Sequence, residues 1–147
     1  MAADHAGVDL KDLLAHHLRA CGHQVDDLSP DTDPEDDYPE IVIPLARAVA
    51  AGRFERAIFC CGSGIGPAIA ANRIPGVRAA VVSDEWSARD AVEHVDVNLL
   101  TLGERVIGSE LAKSIVDAYL GAHVQGGRHQ RRREQIAKLD EAKEARG

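Results

Sequence analysis

The chain has 147 residues, a length that suits one domain with its own core, and 45% of the residues are hydrophobic. The net charge of -7 argues against a nucleic-acid-binding protein, and no apolar run approaches the roughly 20 residues of a membrane span. The N-terminus lacks the basic and apolar stretches of a signal peptide. Three cysteines, two of them the adjacent Cys60 and Cys61, indicate a reducing compartment. The prediction is a single cytoplasmic domain over residues 1–147.

Helical and apolar strand-like segments alternate along the chain, and glycines follow several of the helices. The predicted helices cover residues 8–21, 41–51, 67–73, 86–94, 109–121 and 128–145, and the predicted strands cover residues 23–28, 56–61, 77–83 and 97–102. Apolar strands between helices are typical of a parallel sheet that is covered on both faces. The predicted fold is therefore α/β, a three-layer doubly wound parallel sheet with the flavodoxin-like strand order.

The beginning of the chain departs from this pattern. Only Met1, Ala2 and Ala3 precede Asp4, and the first predicted helix begins soon afterwards. In the flavodoxin-like order the first strand lies inside the sheet, so its loss would leave neighbouring backbone groups unpaired. The sequence therefore predicts a truncated first strand, with natural residues missing upstream.

The strongest local motif is Cys61-Gly62-Ser63-Gly64-Ile65-Gly66, which joins a predicted buried strand to the next helix. Glycines let the backbone bring several N–H groups close to a ligand, and the helix start adds positive potential. Such a loop would stabilise an anion, or an oxygen that gains charge in a reaction, and it would favour the thiolate of Cys61. The alternative is a tight turn with an inert buried cysteine.

The same glycines resemble a dinucleotide fingerprint only in part. The pattern G-x-G-x-x-G fails at its last position, which is Pro67. Asp84 does lie about 20 residues further on, where an acid would contact a ribose. A nucleotide-binding interpretation therefore remains open as the minor alternative.

A second motif places four arginines within residues 128–133 of an otherwise acidic chain. Arg128 and Arg132 are four residues apart, so they share one face of the predicted helix. The planar fork of a guanidinium suits phosphate, and a bound anion would relieve the unfavourable position of cations near a helix N-terminus. A solvated basic turn that pairs with Glu134 is an equally open interpretation.

Two histidines lie close to acids near the ends of predicted strands or helices. His5 follows Asp4, and His94 ends a helix just before Asp96 and the next strand. Ligands of doubly wound sheets bind at the carboxyl ends of the strands, so these side chains are candidates for acid–base chemistry. Taken alone, each histidine is more often structural.

Taken together, these segments resemble the type B ribose-5-phosphate isomerase family, which includes allose- and galactose-6-phosphate isomerases. The matching stretches follow the family order and are Asp4-His5-Ala6-Gly7, Asp37-Tyr38-Pro39, Cys61 to Gly66, Ile69-Ala70-Ala71-Asn72, Pro75-Gly76-Val77-Arg78-Ala79, His94 with Asp96 and Asn98, Gly103 to Gly108, and Gly126-Gly127-Arg128-His129. The resemblance implies aldose–ketose isomerisation of a sugar phosphate, with ribose 5-phosphate and ribulose 5-phosphate as the best single pair. It also implies a homodimer with sites shared between subunits, and no metal or organic cofactor.

The resemblance further implies a role for each matching position. Cys61 is the base that moves a proton between C1 and C2. The cradle for the enediolate oxygens is formed by Ser63 and the amides of Gly62, Gly64, Ile65 and Gly66. His94, helped by Asp4, opens the furanose ring. The phosphate is held by His5, Arg105, Arg128 and Arg132, and Tyr38 lines the pocket.

One departure from the family leaves the substrate open. Val95 follows His94 where the family typically has asparagine, and valine cannot hydrogen-bond a sugar hydroxyl. An isomerase of another four- to six-carbon sugar phosphate is one alternative. A non-catalytic nucleotide- or phosphate-binding module is another, since it would use the glycine loop and the arginines but would need neither Cys61 nor His94.

Overall fold

The structure, a computed structural model, describes residues 1–145. The strands are β1 (Ala2–Ala3), β2 (Ala57–Cys61), β3 (Ala79–Val81) and β4 (Leu99–Gly103), and the helices are α1 (Val8–Ala20), α2 (Tyr38–Ala50), α3 (Ile65–Ala71), α4 (Glu85–Val95), α5 (Ser109–Gly121) and α6 (Arg128–Glu144). None of the helices within residues 1–145 is long and apolar enough to cross a membrane.

All of the strand pairs are parallel, and helices cover both faces of the sheet, so the α/β prediction is confirmed. Successive side chains of a strand point to opposite faces. Cys60 accordingly joins the apolar cluster beneath α1, α4 and α5, whereas Cys61 joins the cluster beneath α2 and α3. Cys61 pairs with Gly103 in the ladder, so the last residues of β2 and β4 lie side by side at the carboxyl edge of the sheet.

The strand order is β1-β2-β4-β3, so the flavodoxin-like order was wrong in detail. That order would have placed residues 79–81 between β2 and β4. The five residues of β4 are all buried, whereas β3 has only three residues, none of which is fully buried. An apolar strand that is buried on both faces belongs inside a parallel sheet, and a short exposed strand suits its edge.

The predicted strand over residues 23–28 is not formed, and β1 lies at the edge of the sheet instead of inside it. Residues 2–3 suffice for pairing with Phe59 and Cys60. On the other side of β1, the Leu28 N–H donates to the Met1 carbonyl at 2.9 Å and the Ala3 N–H donates to Ser29 Oγ at 2.8 Å. The backbone of the short first strand is therefore hydrogen-bonded on both sides, without a regular ladder beyond it.

Buried polar contacts fix α1 against this edge and against the end of β4. The side chain of Lys11 is 1% exposed, and its Nζ donates to Asp27 Oδ2 at 2.7 Å and to the Ser29 carbonyl at 2.8 Å. At the start of the helix, Glu104 Oε2 accepts a hydrogen bond from the Leu10 N–H at 3.0 Å. A buried ammonium needs such partners, and a carboxylate at a helix N-terminus satisfies an otherwise unpaired N–H group.

Gly7 allows the turn before α1 to lie directly on β2. A Cβ atom at this position would overlap the carbonyl group of Cys60, which is backbone and cannot rotate away. We expect Gly7→Ala to lower the free energy of unfolding by about 3 kcal/mol, as for a severe overpacking. Gly121→Ala is the matched control, since nothing lies within 4 Å of its added methyl group. Urea unfolding measures both variants, and equal midpoints would contradict this packing argument.

Candidate active site

The loop after β2 directs a backbone donor at the sulfur of Cys61. The Gly64 N–H donates to Cys61 Sγ at 2.9 Å, and the Ile65 N–H donates to Ser63 Oγ at 3.3 Å. Gly64 has φ 82°, a left-handed conformation that glycine adopts without steric strain. Cys61 is 5% exposed, so its sulfur lies at the base of the loop and is shielded from bulk water. The sulfur therefore accepts a backbone hydrogen bond close to the start of α3.

Two further predicted side chains, Tyr38 and Arg105, lie at the same loop. A Cβ at Gly66 would lie 2.5 Å from Tyr38 Cζ, so the phenol ring covers the first turn of α3. A Cβ at Gly62 would lie 3.3 Å from Arg105 Nη1, so this guanidinium lies over the loop. A Cβ at Gly103 would lie 2.8 Å from the carbonyl carbon of Ser63, so the end of β4 supports the loop from below. The small residues therefore let the loop, a phenol and a guanidinium meet.

Asp4 and His5 follow β1 at the same edge of the sheet. The Asp4 N–H donates to the Cys60 carbonyl at 3.3 Å, and its Oδ1 accepts a hydrogen bond from the Ala6 N–H at 2.9 Å. Asp4 is 6% exposed, whereas His5 is exposed. Together with residues 61–66, Tyr38 and Arg105, these two residues form what we call the thiol cluster.

A second group of residues, three of them predicted site residues, lies where α4 ends and α6 begins. The rings of His94 and His129 are stacked, with centroids 3.8 Å apart and an angle of 5° between the planes. His94 Nδ1 lies 2.5 Å from Asp90 Oδ1. Arg128 and Arg132 are exposed in the first turns of α6. We call these five residues the imidazole cluster.

Within one chain, the two clusters lie at opposite edges of the sheet. His94 is two residues before Asp96, whose Oδ1 lies 3.3 Å from Nη1 of Arg56, immediately before β2. Cys61 is at the other end of β2, whose five residues span about 16 Å at the usual rise of a strand. Asp4 therefore lies with Cys61 and not with His94 of the same chain. The partnership of Asp4 and His94 that the family resemblance implied cannot form within a single subunit.

Two members of the imidazole cluster were missed by the sequence reasoning. Asp90 precedes His94 by one helical turn, a spacing that could have identified it. His129 is 8% exposed and is brought to His94 only by the docking of α6 on α4, a long-range contact without a local signal. Arg133 secures this docking, since it donates to the His94 carbonyl at 3.1 Å and to the Gln125 carbonyl at 2.9 Å.

Other residues of the matching stretches serve the fold and not the site. Asn72 exchanges two hydrogen bonds with the backbone of Ala79, at 2.8 and 2.9 Å, and Asn98 Oδ1 accepts from the Arg78 N–H at 2.8 Å. Arg78 also donates to the Asp96 carbonyl at 2.6 Å. These contacts hold the short edge strand β3 in place beside β4.

The surroundings of His129 make the docking of α6 sensitive to acid. Burial, followed by the charges of His94 and the nearby arginines, lowers the pKa of His129 below its ordinary value of 6.5. As the pH falls below about 6.5, the unfolded chain takes up a proton that the folded chain resists, so the free energy of unfolding should decrease. His129→Gln should flatten this decrease, whereas the exposed control His16→Gln should not. Denaturant unfolding at several pH values measures this decrease in the free energy of unfolding. Parallel curves of that free energy against pH for both variants and the wild type would contradict the role of His129.

Comparisons with known proteins agree with one another. The family described as Ribose/Galactose Isomerase matches residues 1–136. Ribose-5-phosphate isomerase B of Escherichia coli is 44% identical over 138 residues, which cover 94% of this chain and 93% of that protein. D-erythrulose-4-phosphate isomerase of Pectobacterium atrosepticum is 41% identical over 128 residues, which cover 86% of this chain and 84% of that protein. The crystal structure of ribose-5-phosphate isomerase B from Mycoplasma genitalium with bound ribulose-5-phosphate has a TM-score of 0.90 and 37% identity, and the match covers 95% of this chain and 93% of that one. The chain therefore belongs to the Ribose/Galactose Isomerase family.

Proposed function

We propose that the protein interconverts ribose 5-phosphate and ribulose 5-phosphate by proton transfer through an enediolate, with Cys61 as the base. The observation that carries this proposal is the Cys61 sulfur at the base of an amide-lined loop, with the Gly64 N–H 2.9 Å away. The membership of the Ribose/Galactose Isomerase family supports the same reaction. The chemistry needs one base that takes and returns a proton, and donors for an oxygen that becomes charged.

The proton transfer between C2 and C1 uses groups of the thiol cluster. The Cys61 thiolate takes the C2 proton of the open-chain aldose, the electrons of that C–H bond form the C1=C2 double bond, and charge develops on O1. Ser63 and the N–H groups of Gly62, Gly64, Ile65 and Gly66 donate hydrogen bonds to the two oxygens, as the family resemblance implies. The O2 proton passes to O1, the electrons of the O2–H bond form the C2=O2 carbonyl, and the C1=C2 electrons take the proton back from Cys61 at C1, which completes the ketose and restores the thiolate. Tyr38 lines the pocket beside the sugar.

We further propose that two copies form a homodimer, in which the partner's His94 reaches the thiol cluster. Neither cluster contains all the groups that the reaction needs, since the ring-opening histidine lies at the edge away from the sulfur. Exposed apolar side chains in α3, beside the thiol cluster, would also be buried by a partner subunit, namely Ile65 at 57% and Ile69 at 58% exposure. A patch of this kind is typical of an interface. An isologous dimer would then form two equivalent sites.

The phosphate, in this arrangement, is held by cations from both subunits. His5 and Arg105 belong to the thiol cluster, and the partner's Arg128 and the partner's Arg132 approach from the other subunit. Both arginines are exposed and one helical turn apart, so their forks can bind one phosphate together. Contacts to the phosphate lie far from the reacting carbons, and they supply the binding energy that positions the sugar.

The proposal also includes the redox state of the cysteines, the location of the protein and its domain organisation. Cys21, Cys60 and Cys61 are free cysteines, and the reaction requires a reduced thiol at Cys61. We therefore place the protein in the cytoplasm. We also propose that residues 1–147 form a single domain, of which residues 146–147 lie outside the described residues.

A substrate panel tests this function. Purified protein is given ribose 5-phosphate, erythrose 4-phosphate, allose 6-phosphate and galactose 6-phosphate, and ketose formation is followed. We expect the highest kcat/KM with ribose 5-phosphate. A higher value with another sugar would reassign the substrate, and Val95→Asn, which restores an amide beside His94, would then shift the preference. Absence of turnover with all four sugars, together with tight nicotinamide-nucleotide binding, would contradict the isomerase function and favour the non-catalytic nucleotide-binding module.

A further inference from the structure

A surface group of three metal-binding side chains lies outside both clusters. His17 lies in the last turn of α1, Cys21 caps the C-terminus of that helix, and Asp117 projects from α5. His17 Nε2 lies 2.8 Å from Asp117 Oδ1 and 3.9 Å from Cys21 Sγ, and the three donor atoms all lie within 4.8 Å of one another. One nitrogen, one sulfur and one oxygen therefore lie close enough together to bind the same ion.

The spacing of these atoms fits a tetrahedral zinc ion. Zinc bonds of about 2.0–2.3 Å at tetrahedral angles place neighbouring donor atoms about 3.3–3.6 Å apart. The nitrogen–oxygen distance of 2.8 Å would have to open by about half an ångström. The sulfur would have to approach the nitrogen by a few tenths of an ångström and the oxygen by at most about 1.2 Å, which rotation of the exposed Cys21 and Asp117 side chains allows. Thiolate, imidazole and carboxylate are also the donor set that zinc selects.

The protein holds the three donors in place before any ion binds. His17 and Cys21 are four residues apart, so they lie on the same side of the end of α1. The two helices are fixed by buried residues such as Leu14 and Leu18 in α1 and Ile115 in α5, all in one apolar cluster. The His17 side chain is 21% exposed and the Asp117 side chain 49%, so the site is open to solvent on one side.

The charge of the group also suits a divalent cation. The Cys21 thiolate and the Asp117 carboxylate together balance the two charges of zinc, and His17 binds as the neutral imidazole. Glu110 lies near His17 on the same helix as Asp117, and its pKa is lowered by a hydrogen bond from Lys113, by the charge of Lys113 and more weakly by that of His17. Glu110 is itself paired with Lys113 at 2.7 Å, so the charge balance at the group depends on Cys21 and Asp117.

We propose that His17, Cys21 and Asp117 bind one Zn²⁺, with a water molecule in the fourth position, and that the ion joins α1 to α5. On binding, the Cys21 thiol releases its proton to solvent, and His17 coordinates through Nε2 while its proton stays on Nδ1. The site lies on the face of the sheet that α1 and α5 cover, whereas Cys61 belongs to the opposite face. Zinc is therefore structural here and does not take part in the isomerisation.

The test uses tag-free, full-length protein in the Cys61→Ala background, which removes the other thiol near a surface. We expect one equivalent of Zn²⁺ by calorimetry, a thiolate charge-transfer band with Co²⁺, and a melting temperature that rises by about 5 °C in excess Zn²⁺. Cys21→Ser should abolish the band and weaken zinc binding at least about tenfold, as loss of one ligand does. Asp117→Asn should weaken it to a smaller extent, and His16→Gln, the neighbouring exposed histidine, should change nothing.

Two results would overturn the zinc site. One is the absence of stoichiometric binding at micromolar Zn²⁺, and the other is a cobalt band or thermal shift that survives Cys21→Ser. Cys21→Ser in the otherwise wild-type chain should retain full isomerase activity. Loss of zinc binding and loss of catalysis are therefore separate outcomes, so the zinc site is tested independently of the proposed reaction.

Discussion

Replacing Cys61 by alanine should lower kcat for ribose 5-phosphate by about 10²- to 10⁴-fold, the usual contribution of a positioned base. The loop around residue 61 should remain folded, because its other contacts are backbone hydrogen bonds such as Glu104 N–H to the residue 61 carbonyl at 2.8 Å. The loss should appear in kcat and much less in KM, since the phosphate contacts are unchanged. Steady-state kinetics of ketose formation measures both.

Cys60 offers a matched control one residue away. Its side chain points to the opposite face of the sheet and is fully buried, and burial raises the pKa of this thiol far above its ordinary value. Cys60 therefore stays protonated and cannot act as a base at neutral pH. Cys60→Ala should reduce stability through the lost packing but leave kcat within about threefold of the wild type. Equal losses in the two variants, or wild-type turnover in Cys61→Ala, would mean that Cys61 is not the base.

His94→Gln should lower kcat for ribose 5-phosphate by about 10²-fold, as expected for the loss of acid–base help in opening the furanose ring. Asp90 Oδ1 lies 2.5 Å from His94 Nδ1, and a proton held on Nδ1 by this contact would leave Nε2 as the proton acceptor. Asp90 is thus a positioning residue, and Asp90→Asn should lower kcat by about tenfold and alter its pH profile. Glu93→Gln, on the same helix, is the control.

The shape of the substrate separates ring opening from the later proton transfer. A four-carbon sugar whose C4 oxygen carries the phosphate cannot close a furanose ring. His94→Gln should therefore slow the isomerisation of erythrose 4-phosphate much less than that of ribose 5-phosphate, provided that the wild type isomerises both sugars. An equal loss on the two substrates would assign His94 to the proton transfer itself or to substrate binding.

The alternation of helices and strands was predictable, because periods of apolar residues report local structure directly. The order of the strands was not, since it depends on burial that only the assembled sheet defines. Residues 97–102 and 77–83 look equally apolar in sequence, yet β4 is completely buried and β3 is exposed at the edge. Likewise, a strand was predicted over residues 23–28, but two residues of β1 leave little backbone for a ladder.

The thiol cluster could be predicted to a large extent, because its members follow the carboxyl ends of parallel strands and these ends meet at one edge. The imidazole cluster could not, since the stack of His94 on His129 arises from the docking of α6 on α4. The family resemblance paired Asp4 with His94, but the topology separates them within one chain. The end of a helix that leads into a parallel strand lies at the amino edge, and this rule alone could have placed His94 away from Cys61.

A mixing experiment tests the shared site most directly. Cys61→Ala and His94→Gln chains are co-refolded in equal amounts, so that half of the dimers contain one of each. In such a dimer one site has both substitutions and the other has none. Because an isologous dimer forms two equivalent sites, activity should rise from near zero for either variant alone to about one quarter of the wild-type value.

The matched control mixes Cys61→Ala with Asp4→Asn. Both residues belong to the thiol cluster of one chain, so every site keeps one substitution and no activity should return. Recovery to about one quarter with His94→Gln and none with Asp4→Asn is the result that the shared site predicts. Failure of the first mixture to regain activity, although mixed dimers form, would show that Cys61 and His94 act within the same chain.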